Sequence, residues 1–204
     1  MPKLSVDELV LDRQAYAERR PADRDRMIPL RRERRLRLGD QLACEFENTD
    51  TLRYQVQEMV YAEGISDPGE AAAELDAYSR MLPNSHELSC TLFIELEDLT
   101  TVKSELEQLS GIESALRIEV GDEQVPGQEV PALHDDVPGG RTASVHFLRF
   151  RFTDEQRDMF RDPSVPARFA VEHPAYSADV TIDGAVRRSL LADLALEPAP
   201  EAAG

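Results

Sequence analysis

Four stretches in the second half of the chain alternate apolar and polar residues, and their order along the chain constrains the fold more than any other feature. Side chains along a strand point alternately to the two faces of a sheet, so each stretch is predicted to be a strand. The four predicted strands lie at residues 88–97, 115–120, 143–152 and 168–173. Their alternation predicts one apolar sheet face and one face of mixed polarity.

Helices are predicted between the first and second of these strands and between the third and fourth. One runs from 98 to 109 and is closed by Gly111, and the other runs from 154 to 161 after Thr153, a favoured N-cap residue type. The order β-α-β-β-α-β predicts an α+β fold, a ferredoxin-like antiparallel sheet with both helices on one face. Residues 121–142 contain glycines and prolines and are predicted to form a long connection.

The first half of the chain is predicted to be helical, with one β-hairpin. Its helix signals occupy residues 12–19, 21–34, 50–63 and 70–81. Apolar residues alternate on both sides of Gly39–Asp40, which predicts the hairpin. We therefore expect one domain over residues 1–196 and a disordered tail at 197–204. Within that domain we expect a helical part with a hairpin at 1–86, and a ferredoxin-like part with a C-terminal helix at 88–196.

The charge of the chain is strongly acidic but unevenly distributed. The 204 residues include 40 acidic residues against 23 lysines and arginines, which gives a formal net charge of −17. Residues 19–37 nevertheless hold nine arginines and three acidic residues, a local excess of +6. Either this basic segment lies against the acidic surface of its own chain, or it forms a patch for anions or a partner. The candidate patch residues are Arg31, Arg32, Arg34 and Arg35.

The same composition argues against several classes of partner. A net negative charge opposes binding to nucleic acids and to anionic membranes. No apolar run approaches the ~20 residues that span a bilayer, and the first residues lack the apolar stretch of a secretion signal, so we expect a cytoplasmic protein. Cys44 and Cys90 form no CxxC motif and are expected to be buried free thiols.

A candidate ligand site involves the helix predicted at 50–63. Tyr54, Glu58 and Tyr61 follow the i, i+4, i+7 spacing of one helix face. If this face meets the mixed side of the sheet, Glu58 lies near Arg149 or Arg151. The result is either a structural ion pair or a ligand site in which Glu58 is a base or hydrogen-bond acceptor and the arginines bind an anion. The residues of the candidate site are Tyr54, Glu58, Arg149 and Arg151.

The histidines offer only weak candidates for a metal site. His134 and the neighbouring Asp135 and Asp136 lie in the long connection that leads towards His146. Such residues can bind zinc, but histidines that only form hydrogen bonds are the alternative, so no metal and no cofactor is predicted. The sequence contains no P-loop, no dinucleotide-binding glycine motif and no nucleophile motif, so catalytic residues stay unassigned.

Five segments spread along the chain form a specific combination. They are 34–40 (RRLRLGD), 51–59 (TLRYQVQEM), 74–78 (ELDAY), 144–150 (SVHFLRF) and 173–176 (HPAY). Together they resemble a bacterial and archaeal family of about 200 residues known only as a domain of unknown function. Genes of that family often lie beside those for rubrerythrin and an iron–sulfur oxidoreductase, which implies work in oxidative stress or electron transfer. The family has no established catalytic residues, so the resemblance assigns none here.

Two functions follow as alternatives, and the sequence does not decide whether the protein is an enzyme. The first is an accessory or binding protein of a redox system, with rubrerythrin or the iron–sulfur oxidoreductase as partner. It would present residues 19–37 or 121–142 to that partner. The second is a small enzyme or ligand-binding protein with a polar cleft between the N-terminal helices and the sheet. A closed pocket with converging polar groups favours the second function, and a filled interior favours the first.

Overall fold

In the part of the chain that the structure describes, eight strands form a single antiparallel sheet that curves into a nearly closed barrel. The computed structural model describes residues 4–96, 100–130 and 142–194. The strands are β1 (Arg35–Leu38), β2 (Leu42–Glu47), β3 (Glu87–Ile94), β4 (Leu116–Val120), β5 (Glu123–Glu129), β6 (Val145–Arg151), β7 (Ala167–His173) and β8 (Tyr176–Thr181). Their order in the sheet is β1-β2-β3-β6-β5-β4-β7-β8. The barrel nearly closes because β1, at one end of this order, lies beside β8 at the other.

Six α-helices accompany the sheet in the described part of the chain. They are α1 (Arg13–Arg32), α2 (Thr49–Glu63), α3 (Pro68–Ser79), α4 (Val102–Gln108), α5 (Asp154–Arg161) and α6 (Gly184–Leu194). Two short 3₁₀ helices lie at Val6–Glu8 and Ile112–Ala115. None of the described helices is long and apolar enough to cross a membrane.

Apolar side chains fill the described interior of the barrel. Phe46, Phe150 and Phe169, from β2, β6 and β7, meet there with ring centroids 6.4, 5.5 and 5.6 Å apart. All three rings are fully buried. Leucines from α4 and α6 join the same cluster, among them Leu106 and Leu190. Protein interiors packed in this way leave little free volume, so among the described residues the barrel centre is filled by side chains.

A second apolar cluster lies outside the sheet, between α2 and α3. The 3.6-residue period of α2 places Leu52, Val56 and Val60 on one buried face. These side chains pack with Leu75 of α3, and Phe147 of β6 contacts the same cluster. Because Leu148 and Phe150 of β6 belong to the barrel interior, Phe147 must point to the outer face of the sheet. The N-terminal helices therefore cover part of that outer face.

The prediction of buried free thiols is confirmed. Cys44 on β2 and Cys90 on β3 are free and fully buried in the barrel interior, and burial raises the pKa of the Cys90 thiol. A thiol reagent needs both access and thiolate. We expect no reaction of the native protein with Ellman's reagent, and two thiols per chain after unfolding in guanidinium. Rapid labelling of the native protein would contradict this burial.

The predicted ferredoxin-like sheet is wrong. That topology requires the strand at 115–120 to pair with the strand at 143–152, but β5 lies between β4 and β6 and pairs with both. It also requires the strand at 168–173 to pair with the strand at 88–97, whereas β7 pairs with β4 and β8. One predicted pairing is confirmed, since β3 and β6 are antiparallel neighbours.

The error arises from β5, which the sequence analysis assigned to a long connection. Val125 is the only residue of β5 that is fully buried, so the segment shows little apolar alternation. Pro126 and Gly127 look like a turn signal, but Gly127 serves close packing within the sheet. A Cβ atom at Gly127 would lie 3.0 Å from the Phe150 ring and 3.1 Å from the Leu116 carbonyl oxygen. Glycine in a strand often marks such close approach.

Several predicted elements are confirmed, and one helix boundary is wrong. The hairpin around Gly39–Asp40 corresponds to β1 and β2, which extend the same sheet as β3. The helices predicted at 50–63, 70–81 and 154–161 correspond to α2, α3 and α5. The predicted break at Pro21 is absent, because α1 continues through both Pro21 and Pro29. The tail at 197–204 lies outside the described residues.

Candidate functional site

The outer face of β2 carries two buried carboxylates. Alternation along this strand sends Phe46 into the barrel and Glu45 and Glu47 to the opposite face. Both carboxylates are 4% exposed. Burial of a carboxylate requires either a cation or several hydrogen bonds, and the two residues satisfy this need differently.

Glu45 is compensated by cations from the N-terminal region. The guanidinium of Arg31 donates to both of its carboxylate oxygens, one of them at 2.8 Å. Arg35 lies 3.5 Å from the same carboxylate. Such a two-pronged contact is the strong geometry for arginine and carboxylate, so Glu45 is a structural ion-pair partner.

Glu47 accepts hydrogen bonds from hydroxyl groups and has no ion-pair partner among the described residues. Thr51 Oγ1 donates to one carboxylate oxygen at 2.5 Å, and Thr91 Oγ1 donates to the other at 2.6 Å. Burial raises the pKa of Glu47, the two hydroxyl groups oppose this shift, and the nearby charge of Glu45 adds to it. A buried carboxyl group with a raised pKa can hold a proton at a pH where an exposed glutamate is ionised.

Arg34 connects β2 to the C-terminal helix. Its side chain is 1% exposed, forms an ion pair with Asp193 of α6 and donates to Ser189 Oγ at 3.0 Å. It also donates to the backbone oxygens of Phe46 at 2.7 Å and Glu47 at 3.2 Å. Since its donors are used within the fold, Arg34 is not available to a ligand.

The structure does not bring the candidate residues Tyr54, Glu58, Arg149 and Arg151 together. Glu58 accepts a hydrogen bond from Tyr16 Oη at 2.7 Å and two-pronged contacts from Arg20 at 2.7–3.0 Å. The hydrogen bond from Arg20 is the largest cause that lowers the pKa of Glu58.

Arg149 and Arg151 instead lie near Glu87, at 3.4 and 2.8 Å. Arg149 also donates to the Arg80 carbonyl oxygen. Tyr54 lines a shallow open depression between the first residues, α1 and α2, and burial raises its pKa. The other lining residues are Glu8, Arg19, Asp23, Arg26, Arg53 and Gln57. A ligand site that combines Tyr54 with the two arginines therefore has no support in this geometry.

The four arginines of the predicted patch differ in whether they form ion pairs. Arg31, Arg34 and Arg35 form ion pairs with Glu45, Asp193 and Glu95. Arg32 is exposed and forms no ion pair with a described residue. Most of the predicted patch therefore faces the chain's own acids.

His146, a weak metal candidate, is 7% exposed and surrounded by hydrogen-bonding groups. Its Nδ1 lies 2.7 Å from Glu129 Oε1, and its Nε2 lies 2.6 Å from Thr142 Oγ1 and 3.0 Å from the Ala143 carbonyl oxygen. His134 lies outside the described residues. Within the described ranges, no group of three or more His, Cys, Asp or Glu side chains is arranged to hold a metal ion.

Sequence reasoning missed Glu47 as a candidate functional residue. The alternation in Leu42–Glu47 already places Glu45 and Glu47 on one face, opposite the apolar residues. Their burial depends on which helices cover that face, which the local pattern cannot specify. The contrast between Glu45 and Glu47 became visible only once Arg31 and the two threonines were located.

The raised pKa of Glu47 makes a testable contribution to stability. A group whose pKa is higher in the folded than in the unfolded state stabilises the fold below its unfolded pKa, and this contribution is lost as pH rises through the folded value. We therefore expect Glu47→Gln to gain stability relative to the wild type as pH rises above about 4.3, the ordinary value for glutamate. Chemical unfolding followed by circular dichroism across pH 4–8 measures the difference.

Glu87→Gln provides a control of opposite sign. Glu87 is 1% exposed, and its burial by itself would raise its pKa. Hydrogen bonds from Arg151 and Asn84, together with the charges of Arg149 and Arg151, outweigh this effect and lower the pKa. The stabilising contribution of a lowered pKa is present above the unfolded value and lost as pH falls through the folded value. Glu87→Gln should thus be less stable than the wild type at neutral pH, with a difference that shrinks in acid. Parallel pH profiles for the two variants would contradict these assignments.

The described residues define a class of α+β protein: an antiparallel, nearly closed barrel with a filled interior and helices packed on its outer face. The chain belongs to the family described as protein of unknown function (DUF3501), whose family profile matches residues 3–194. This confirms the resemblance to a domain-of-unknown-function family.

A solved structure shares the fold. The crystal structure of a protein from Burkholderia pseudomallei, described as a novel protein of unknown function, superposes with a TM-score of 0.86. The two sequences are 34% identical, and the match covers 95% of this chain and 100% of that one. Among curated proteins, no sequence matches this chain.

Proposed function

We propose that this protein is a non-catalytic accessory protein that binds a partner through its surface within a redox or oxidative-stress system. The observation that carries the proposal is the barrel interior, which Phe46, Phe150 and Phe169 fill. Enzymes and small-ligand carriers generally need a concave site with converging polar groups. Here Glu58 and Arg149 are each engaged in separate contacts within the fold.

The proposed partners are rubrerythrin or an iron–sulfur oxidoreductase, in the cytoplasm. Their identity rests on the resemblance alone, through the gene neighbours that it implies. A binding role also agrees with the uneven charge, because residues 19–37 carry a local excess of +6 in a chain of net charge −17. Such contrast orients a charged partner as it approaches.

Electron transfer between the purified partners tests the proposal. We expect the full chain to change the rate at which the iron–sulfur oxidoreductase reduces rubrerythrin, in proportion to its concentration until binding saturates. Glu47→Gln should change the rate as the wild type does, because Glu47 is buried. An unchanged rate of rubrerythrin reduction at saturating concentrations of the chain would contradict the proposed redox role.

A second candidate function, a small enzyme or ligand-binding protein, draws its support from Glu47. Its pKa is raised by burial, and a carboxyl group of this kind could transfer a proton to a substrate that reached it. Thr51 and Thr91 donate to this carboxyl group, and the nearby charge of Arg34 also opposes the rise of its pKa. This candidate requires a small molecule to raise the melting temperature of the wild type but not that of Glu47→Gln. A metabolite screen in which no compound does so would count against it.

A further inference from the structure

One face of α1 carries a strongly exposed isoleucine with one arginine on each side of it. Arg24, Ile28 and Arg32 are spaced four residues apart, so they form one row along the helix. All three are exposed, and Ile28 is exposed by 56%. Neither arginine forms an ion pair or hydrogen bond with any described residue. The row is thus not required by the contacts that hold the fold together.

Other arginines of α1 contrast with this row. Arg19 pairs with Asp23, Arg20 pairs with Glu58, and Arg31 pairs with Glu45. Arg13 stacks on the Tyr61 ring at 5.4 Å. The fold therefore pairs these arginines within the protein, whereas Arg24 and Arg32 have no ion-pair partner among the described residues. The charge of Arg24 still helps to lower the pKa of Glu58.

Ala17 and Pro21 continue the row towards the start of α1. At 3.6 residues per turn, they share a sector of about 80° with Arg24, Ile28 and Arg32, and the exposed Asp25, three residues before Ile28, borders this sector. Both Ala17 and Pro21 are exposed. Pro21 has no N–H group, so α1 lacks one intrahelical hydrogen bond to the Ala17 carbonyl oxygen. The face combines two cationic groups with an apolar anchor.

We propose that this face, defined by Ala17, Pro21, Arg24, Ile28 and Arg32, docks an acidic partner protein. Carboxylates of the partner bind the two guanidiniums, and an apolar pocket between them receives Ile28. Arginine forks suit carboxylates, and a central apolar anchor ringed by charge is a common interface design. The inference rests on the proposed function and deepens it by naming the surface and the chemistry of the partner. One helix face of this size fits a small, transient interface.

A second copy of this chain is a poor occupant for the face. If two copies packed their α1 helices antiparallel about a two-fold axis at Ile28, Arg24 would meet Arg32 of the second copy. A parallel arrangement would place each arginine against its own equivalent. Both arrangements bring like charges together, which is destabilising.

Long polyanions are poor occupants as well. The 185 residues outside 19–37 carry a formal charge of −23, so a nucleic acid or an anionic membrane would be repelled over most of the surface. A protein with a local acidic patch can bind the α1 face without contacting the acidic remainder of the surface. The same repulsion would orient such a partner towards this one face.

Photo-crosslinking from position 28 tests the proposal in cells. The full chain with Ile28→p-benzoylphenylalanine is produced in the native organism and irradiated. We expect a crosslink to an acidic protein that is lost in R24E/R32E. The matched control is R80E/R188E, because Arg80 and Arg188 are also exposed and form no ion pair with described residues. Both double variants change the net charge equally, and the control should keep the crosslink.

Titration of the purified partner measures how much each substitution weakens binding. For the crosslinked protein, we expect R24E/R32E to weaken binding by about 100-fold and R80E/R188E by less than about threefold. Ile28→Ser should weaken binding by about tenfold. Val145→Ser should leave binding unchanged, because Val145 is also a large exposed apolar residue but lies on β6.

Several results would overturn the docking face: no crosslink at position 28, a crosslink to a second copy, to RNA or to lipid, or a crosslink that survives R24E/R32E. Failure of the proposed function looks different. If the crosslinked acidic protein is neither rubrerythrin nor the oxidoreductase, the docking face stands and the redox link fails. If either of those proteins binds equally well to R24E/R32E, the function stands and the docking face is wrong.

Discussion

Replacing Asp193 by alanine is expected to lower the free energy of unfolding by about 3–5 kcal/mol, the usual cost of removing one partner of a buried ion pair. Asp193 is 6% exposed, and its partner Arg34 is almost fully buried between β2 and α6. Without the carboxylate, the guanidinium keeps its bonds to Phe46 and Glu47 but remains a buried, uncompensated charge. Guanidinium unfolding followed by circular dichroism measures the loss.

Two variants separate charge from packing in this prediction. Asp193→Asn keeps an oxygen acceptor for Arg34 and should lose less stability than Asp193→Ala. Asp179→Ala removes an exposed carboxylate that lies 3.6 Å from Arg168, and such surface pairs contribute little. Equal losses for Asp193→Ala and Asp179→Ala would show that the Arg34–Asp193 pair does not hold α6 against the barrel.

Gly39→Ala is expected to lower the free energy of unfolding by about 2–4 kcal/mol, through backbone strain and a steric clash. Gly39 forms the turn between β1 and β2 with a φ of +66°, which L-residues adopt only with strain. A Cβ atom there would lie 2.2 Å from Tyr176 Oη. That hydroxyl donates to the Leu38 carbonyl oxygen at 2.6 Å, so the clash falls where β8 meets β1 and the barrel closes. Thermal and chemical unfolding both report the effect.

Gly111→Ala isolates the strain from the clash. Gly111 has a φ of +89°, and a Cβ atom there meets nothing within 4 Å, so only the strain of about 1–2 kcal/mol is expected. Tyr176→Phe removes the oxygen that clashes, so its effect in the Gly39→Ala background should be smaller than in the wild type. Additive effects of the two substitutions would mean that the turn does not approach Tyr176 as described.

Local sequence patterns predicted the strands in which apolar and polar residues alternate and the helices that have favoured capping residues. The N-cap predicted at Thr153 locates the start of α5, where its side chain accepts a hydrogen bond from the Gln156 N–H. In the structure Asp67 caps α3 in the same way, and Gly64 ends α2. The pairing of β3 with β6 was part of the predicted ferredoxin-like order, and the structure confirms this one pairing. These features depend on residues close in sequence, where propensity and periodicity act directly.

The prediction of the sheet topology failed where a residue is required by contacts with residues distant in sequence. Gly127 has no side chain because Phe150 and the Leu116 carbonyl approach it, and this role looks the same as a turn signal in the sequence. Pro21 looked like a helix start, yet α1 continues through it. β8 was not predicted, and β5 was assigned to a connection. The four strands predicted in the second half then matched a ferredoxin-like order, and the wrong sheet followed.

The candidate site was out of reach for a related reason. Glu58 and Arg149 carry the right chemistry for a pair, but Arg20 and Glu87 respectively take them as partners. Which of many arginines meets which of many acids depends on three-dimensional placement. The charge excess in residues 19–37 did indicate a special segment, and the structure divides it into paired and unpaired arginines.

Sedimentation velocity tests the central claim, which is that the protein acts by binding through its surface. The full chain is mixed in turn with purified rubrerythrin and with the iron–sulfur oxidoreductase, at concentrations up to about 100 μM so that weak complexes are populated. We expect a faster-sedimenting complex with at least one of them, retained by Glu47→Gln. A chain that sediments alone in both mixtures would contradict the account.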